Sequence, residues 1–540
     1  MAGLTTASAY APKHRRRAGG LAAALGHNVD LLFSSGSLLG STAVTSALGF
    51  VYWIVAARMF DAQVVGVASA AVSALTLLGS LGMFGLGTLL ITELGRSPHR
   101  APELVSAGLA AAGAAATVLA LVYVCVAPLL SPRLFAGPGA WGLATILVGG
   151  VTATAVGLVF DQVLVGLRLS HVQMWRNTYF AAGKLLLIAL LGAGIGAAGP
   201  AAITATWVAG TLGSFALVAP HLRRRGVRLL TRPRPSALRG LARAALGHNA
   251  LNLATTIPRV GLPLVVASAL SPTANATFFI AWMIVGFLYM LPTHLSTSLF
   301  AIAAGDSAAL RTKLRFALAV SAVLGVPGSL LLMVLAGPVM GIFGTAYLTA
   351  GPQCLALLTL SYAPTVVKQL YMAVARVTGT LRRAAIVAAA GAAAELAAAW
   401  LGGRLDGILG VATWFSLACA IETAVMIPPL VAAARRRTTP NVVMPADPPR
   451  RFVGICQVQT VGFAAVVAVD THGTVPLSTL DADHTHEPRT RFSWFSATEP
   501  ASIEDQLRQM TESTSMTCGN GDDAAGAPAQ LPPTAKLNRM

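Results

Sequence analysis

The sequence predicts an all-α polytopic membrane protein, with about twelve transmembrane helices in two parallel six-helix lobes around a central cavity. Three observations carry that prediction. The chain is 55% hydrophobic and only 11% charged over 540 residues, where soluble proteins average about 25% charged. Apolar runs of the ~20 residues that a ~30 Å hydrocarbon core requires recur through residues 31–433. The hexapeptide AALGHN appears twice, at Ala23–Asn28 and Ala244–Asn249, each time between a basic stretch and a long apolar run.

The apolar spans in order are 31–57, 64–92, 104–130, 138–166, 178–198, 201–220, 249–270, 275–303, 316–337, 348–373, 384–402 and 407–433. In the first half they stop at Arg58 and Asp61, at Arg96, at Arg133, at Arg168, at Pro200 and at the arginines from Arg223 onward. In the second half they stop at Pro272, before Arg311, before Tyr347, at Arg376, at Arg404 and at Arg435. No strand-like alternation runs through these segments, and helices satisfy their own backbone polar groups inside lipid.

Orientation follows from the basic residues between spans. With a cytoplasmic N-terminus, the inside connections hold 25 Lys and Arg and the outside ones hold 3, Arg58, Arg133 and Arg404. Both ends are therefore expected to be cytoplasmic. The Pro- and Arg-rich connector before the second AALGHN splits the spans six and six, and an even split makes the halves parallel repeats. The expected organisation is a basic N-terminus (1–30), a first lobe (31–220), a basic connector (221–248), a second lobe (249–433) and a mostly disordered cytoplasmic tail (434–540). His27 and His248 would cap the cytoplasmic mouths of the two lobes.

The net charge of +18 is unevenly spread: residues 1–437 hold 31 basic and 9 acidic groups, the tail 7 and 11. Basic residues confined to connections fit membrane topology and not nucleic-acid binding. The five cysteines lack CxxC or CxxH spacing, so neither a disulfide framework nor a metal site follows. The interrupted N-terminal apolar stretch reads as a cytoplasmic lead-in, not a cleaved signal peptide. No G-x-x-x-x-G-K-[ST] run is present and no cofactor is expected. The tail has Pro-rich and polar tracts, and residues 453–470 are too short and interrupted for a thirteenth span.

Ionisable groups inside a bilayer cost about 2.5–3.5 kcal/mol each on insertion scales, so those retained are functional candidates. Arg259 sits about ten residues into the seventh span, roughly 15 Å deep. Pro258 and Pro263 bracket it, and a kinked helix with a central guanidinium suits a phosphate-like anion. The alternative is a structural arginine paired with a carboxylate. Lys368 is the second substrate-binding candidate, and Lys184 is expected to snorkel to the interface. Glu395 and Glu422 are candidates for carrying a coupling proton, or for pairing with Arg259 or Lys368. Asp161 reads as a static partner of Arg168, and Arg58 as a partner of Asp61. Pro258, Pro263 and His294 are candidate gating or kink residues. Tyr52, Trp53, Trp282, Tyr289, Trp400 and Trp414 read as interfacial anchors or packing.

Residues 35–91, above all "ARMFDAQVVGVASA" with Gly66 opening the second helix, resemble the first two helices of polysaccharide-exporting flippases. These belong to the multidrug/oligosaccharidyl-lipid/polysaccharide (MOP) exporter superfamily, whose six-plus-six pattern matches residues 30–435. The resemblance implies two lobes rocking around a cavity, as in MATE-like transporters. It implies a lipid-linked oligosaccharide, carried through phosphate, turned to the outer leaflet of a bacterial plasma membrane. Arg259, then Lys368, match by position the cavity cations that hold the head group.

Three other classes stay open. A cation-coupled multidrug exporter of the same superfamily would favour cavity carboxylates, whereas span seven carries Arg259. A membrane glycosyltransferase or polymerase would need a large outer loop, and the outer connections are short. A scaffold recruiting glycan-synthesis enzymes through the tail is compatible with transport. The G-x-x-x-D-R-x-G-R signature of major-facilitator transporters is absent, the chain reading "ELGRSPHR". An ordinary transporter, not an enzyme, is the expectation.

Overall fold

The described parts of the predicted spans are mostly helical. The computed structural model describes residues 45–130, 135, 139–167, 169–194, 199–224, 231–238, 242–303, 307–435, 456–460 and 463–467. The first half contributes α1 (Thr45–Met59), α2 (Ala62–Gly82), α3 (Leu86–Arg96), α4 (Ala101–Leu130), α5 (Ala140–Gly166), α6 (Ser170–Gly192) and α7 (Pro200–Arg224). The second contributes α8 (Ala242–Ala269), α9 (Pro272–Ala303), α10 (Ser307–Val334), α11 (Ala336–Gly341), α12 (Gly351–Thr359), α13 (Tyr362–Val377) and α14 (Leu381–Arg435). Among the described residues eight helices, with α14 taken as one, are long and apolar enough to cross a membrane.

Helical backbone breaks within two of the spans, the second and the tenth, and reverses between the eleventh and twelfth. The second breaks between α2 and α3, where Phe84 (φ 42°) and Gly85 (φ 75°) are left-handed. That conformation is cheap for glycine and uncommon for a bulky side chain. The tenth breaks between α12 and α13. There the Tyr289 hydroxyl meets Ser361 Oγ at 2.5 Å, and Tyr362 donates to the Ser321 carbonyl at 2.9 Å. Spans eleven and twelve form the two arms of α14, which reverse at Asp406 and Gly407 (φ 62°). Gly402 and Gly410 face each other across that turn, and a Cβ on either would meet the other's carbonyl.

The two prolines of α8 stay within one helix. Pro263 has no N–H to give the carbonyl four residues back, which is that of Arg259. The Trp282 indole N–H of α9 donates to that carbonyl at 2.8 Å instead. The freed acceptor is thus satisfied by a neighbouring helix, as lipid burial demands.

α4 packs along α5, α6 along α7, and α8 along α14, while α2 packs against α5, α8 and α9 and so joins the halves. The largest core cluster crosses between halves through Trp53, Phe279 and Phe343. Smaller cores sit within each half, one around Leu90, Leu104 and Val163, the other around Leu251, Met372 and Met426.

Several expectations change. α6 begins eight residues before the predicted fifth span, so Arg176 lies inside the helix and not in a connection. α8 begins at Ala242, so the second AALGHN lies within helical backbone and does not cap it. The first copy and His27 lie outside the described residues. In the tail, expected to be mostly disordered, β1 (Cys456–Thr460) pairs antiparallel with β2 (Phe463–Val467). Residues up to His472 form one unit, and the second, 473–540, lies outside the described residues.

Candidate functional site

Among the described residues two clusters pair buried acids with bases: one joins α13 to both arms of α14, the other joins α5, α6 and α7. In the second half Lys368, on α13, reaches both arms of α14. Its ammonium donates to Glu395 Oε1 and to Glu422 Oε2, both at 2.9 Å. The lysine side chain is 14% exposed and the glutamates are buried. Cys419 Sγ donates to Glu395 Oε1 at 3.2 Å. Glu422 Oε1 is buried and has no hydrogen-bond partner among the described residues. Gly391 makes room for that carboxylate, since a Cβ there would overlap it.

In the first half the charges are reversed. Asp161 on α5 receives a bidentate pair from Arg176 on α6, Nε at 2.6 Å and Nη2 at 2.5 Å. The guanidinium also donates to Asn177 Oδ1 at 2.8 Å and to Ser214 Oγ of α7 at 3.3 Å. This cluster is formally neutral, one acid to one base. The second-half cluster has two acids to one base and a formal charge of −1. Only the second therefore has room for an added cation without a compensating loss.

Lys184, two turns along α6 from Arg176, is buried among rings. Its ammonium stands 3.7 Å from the Trp207 centroid, 4.6 Å from Phe180 and 5.3 Å from Tyr52. Such a cage stabilises a desolvated cation through the ring quadrupoles. A pocket beside it is lined by Thr76, Thr154, Asn177, Phe180, Trp207 and Thr211.

Arg259 is half-buried midway along α8, with Pro258 and Pro263 both buried beside it. Its charge acts on His294 of α9, which is fully buried. Neither ring nitrogen of His294 has a hydrogen-bond partner among the described residues.

The structure brings Lys368, Glu395 and Glu422 together and places Asp161 in the other half. Asp161 is held by Arg176; the expected partner, Arg168, lies outside the described residues. Lys184 does not snorkel, because α6 starts early and its aromatic neighbours enclose it. Arg58 does not bond to Asp61. It donates from Nε to the Ile342 carbonyl at 2.7 Å and from Nη2 to that of Gly341 at 3.4 Å. Tyr52, Trp53, Trp282 and Tyr289 are buried packing groups, whereas Trp400 is exposed. Sequence reasoning missed Arg176, Cys419 and Gly391. Arg176 was legible only as a second basic group beyond Arg168, which is nearer to Asp161 in the sequence. Nothing in the sequence marked the other two.

No protein-family profile matches the chain, and no curated protein matches it. Solved structures do. One, described as the inward-facing conformation of a multidrug resistance MATE family transporter of the MOP superfamily, superposes with a TM-score of 0.61 at 15% identity. It covers 76% of this chain and 99% of its own. The chain has the MATE transporter fold. A MOP superfamily transporter from Pyrococcus furiosus, described as having a binding pocket of reversed polarity that suggests a different function, matches at TM-score 0.52 and 14% identity. That match covers 75% of this chain and 96% of the other. A MATE protein in complex with MaL6 matches at 0.53 and 15%, covering 75% and 97%.

Proposed function

We propose that the protein is a membrane exporter working by alternating access, and that its cargo is anionic: a lipid-linked oligosaccharide or polysaccharide precursor carried through phosphate. The observation that carries this reading is the assignment of charges inside the helices. The three intramembrane carboxylates, Asp161, Glu395 and Glu422, are engaged by Arg176 and Lys368. A cationic drug would have to compete with those bases. Arg259 sits half-buried at mid-helix, between Pro258 and Pro263. A guanidinium in that place donates bidentate hydrogen bonds to a phosphate. Lys368 then belongs to the second-half cluster and not to the cargo.

In this reading the −1 cluster is the coupling element. Glu422 Oε1 takes and releases a cation, a proton in the simplest case, as the halves rock. A charge moving through 100 mV is worth about 2.3 kcal/mol, enough to set direction without ATP. The lobe boundaries at 31–220 and 249–433, the bacterial plasma membrane and cytoplasmic ends belong to the same proposal, supported by the basic connections. Recruitment of glycan-synthesis enzymes by the tail is a further part of it.

The runner-up is a cation-coupled multidrug exporter, favoured by the multidrug name of a fold neighbour. One experiment separates the two. Proteoliposomes carrying the full chain are loaded either with a polyprenyl-diphosphate glycan or with a cationic dye. The proposal expects protein-dependent flipping of the first. Protein-dependent movement of the dye alone supports the runner-up.

A further inference from the structure

The side of the molecule where α1 turns into α2 is also where α8 turns into α9. There the two halves are joined by hydrogen bonds from two unrelated residues. Arg58, the penultimate residue of α1, reaches the carbonyls of Gly341 and Ile342 at the end of α11, at 3.4 and 2.7 Å. Those carbonyls close a helix C-terminus, where the dipole favours a guanidinium; that of Gly341 also accepts from the Gly344 N–H at 3.2 Å. Asn275, in the first turn of α9, donates to the Gly66 carbonyl at 2.8 Å and to Ser69 Oγ at 3.0 Å, both on α2. Gly66 lets the helices come this close, since a Cβ there would collide with the Pro272 carbonyl. Beneath these bonds Phe50 packs edge-on against Phe287 and Phe343, and Trp53 against Phe279, again across the halves.

We propose that Arg58 and Asn275 form a two-point latch that holds this end of the molecule shut and must release for the halves to part there. The latch rests on the alternating-access reading but not on any cargo. The two points differ in character. Arg58 is exposed, so water competes for its bonds and they break readily. Asn275 is fully buried, so its bonds persist until the helices separate. Release therefore runs from Arg58 inward.

The test needs no substrate. Val65, next to Gly66 on α2, is fully buried and its side chain takes no part in the latch. Val65→Cys in the full-length, detergent-solubilised chain is labelled with a bulky maleimide, and labelling of the chain without it is subtracted. Adding Arg58→Ala is expected to raise the labelling rate about fivefold or more. Arg58→Lys, keeping the charge but losing the fork, should fall between. Asn275→Ala should raise the rate at least as much. Labelling that stays at the Val65→Cys rate in either alanine variant overturns the latch. Because the readout is access and not transport, a wrong cargo assignment leaves this result standing.

Discussion

Lys368 hydrogen-bonds Glu422 Oε2 at 2.9 Å while the other oxygen of the same carboxylate is buried without a partner among the described residues. One half of that group is structural and the other half is available. The ammonium that holds it also holds Glu395. One cation thus fixes the spacing of three helical segments and faces two carboxyl groups.

Removing the cation exposes what it does. Lys368→Met leaves two buried carboxylates with no base between them. Breaking a buried pair in this way costs about 3–5 kcal/mol. A large fall in thermal midpoint in detergent is expected. The triple variant Lys368→Met, Glu395→Gln, Glu422→Gln should recover most of it, since no charge is then left unpaired. A triple variant as unstable as the single one contradicts the account of the cluster.

Glu422→Gln separates stability from coupling. The amide oxygen still accepts from Lys368, so the thermal midpoint should move little. The titratable oxygen is lost, so transport in proteoliposomes should no longer respond to an imposed proton or sodium gradient. A gradient response of wild-type size in this variant removes Glu422 from the coupling role.

Gly391→Ala places a methyl where the Glu422 carboxylate lies. Overpacking of this kind costs about 1–3 kcal/mol. The carboxylate must rotate, and the expected result is a moderate loss of stability together with a weakened gradient response. Stability loss with full coupling would mean that the carboxylate position is not what coupling needs.

Much of this was legible in the sequence. The helical runs, their polarity and the candidates Lys368, Glu395 and Glu422 follow from the cost of charge in lipid. What was not legible is pairing across distance. Sequence proximity pairs Asp161 with Arg168, one or two turns on, and starting the fifth span at residue 178 leaves Arg176 in a connection. The helix in fact begins at Ser170, since Asp161 neutralises that arginine. Lys184 was read as snorkelling for want of a visible partner, and its partners are rings on α1, α6 and α7. The break at Phe84 has Gly82, Gly85 and Gly87 around it and that between α12 and α13 has Ser361 and Pro364, but each signal sits inside a run long and apolar enough to read as one span.

The first-half pair predicts a purely structural phenotype. Asp161→Asn or Arg176→Gln should each lower the thermal midpoint, by an energy of about 3–5 kcal/mol. Replacing both together should cost less than the sum of the singles. Neither should alter the gradient response per folded molecule, and a selective loss of that response would place the coupling element in both halves.

The central claim is that Arg259 meets an anionic cargo. The most direct measurement is protein-dependent flipping of a polyprenyl-diphosphate glycan in proteoliposomes by Arg259→Ala and Arg259→Lys, each checked for monodispersity and thermal midpoint. Losing the guanidinium's bidentate contact should slow flipping at least about tenfold in the alanine variant, with the lysine variant in between. Flipping at the wild-type rate by a well-folded Arg259→Ala protein contradicts the claim.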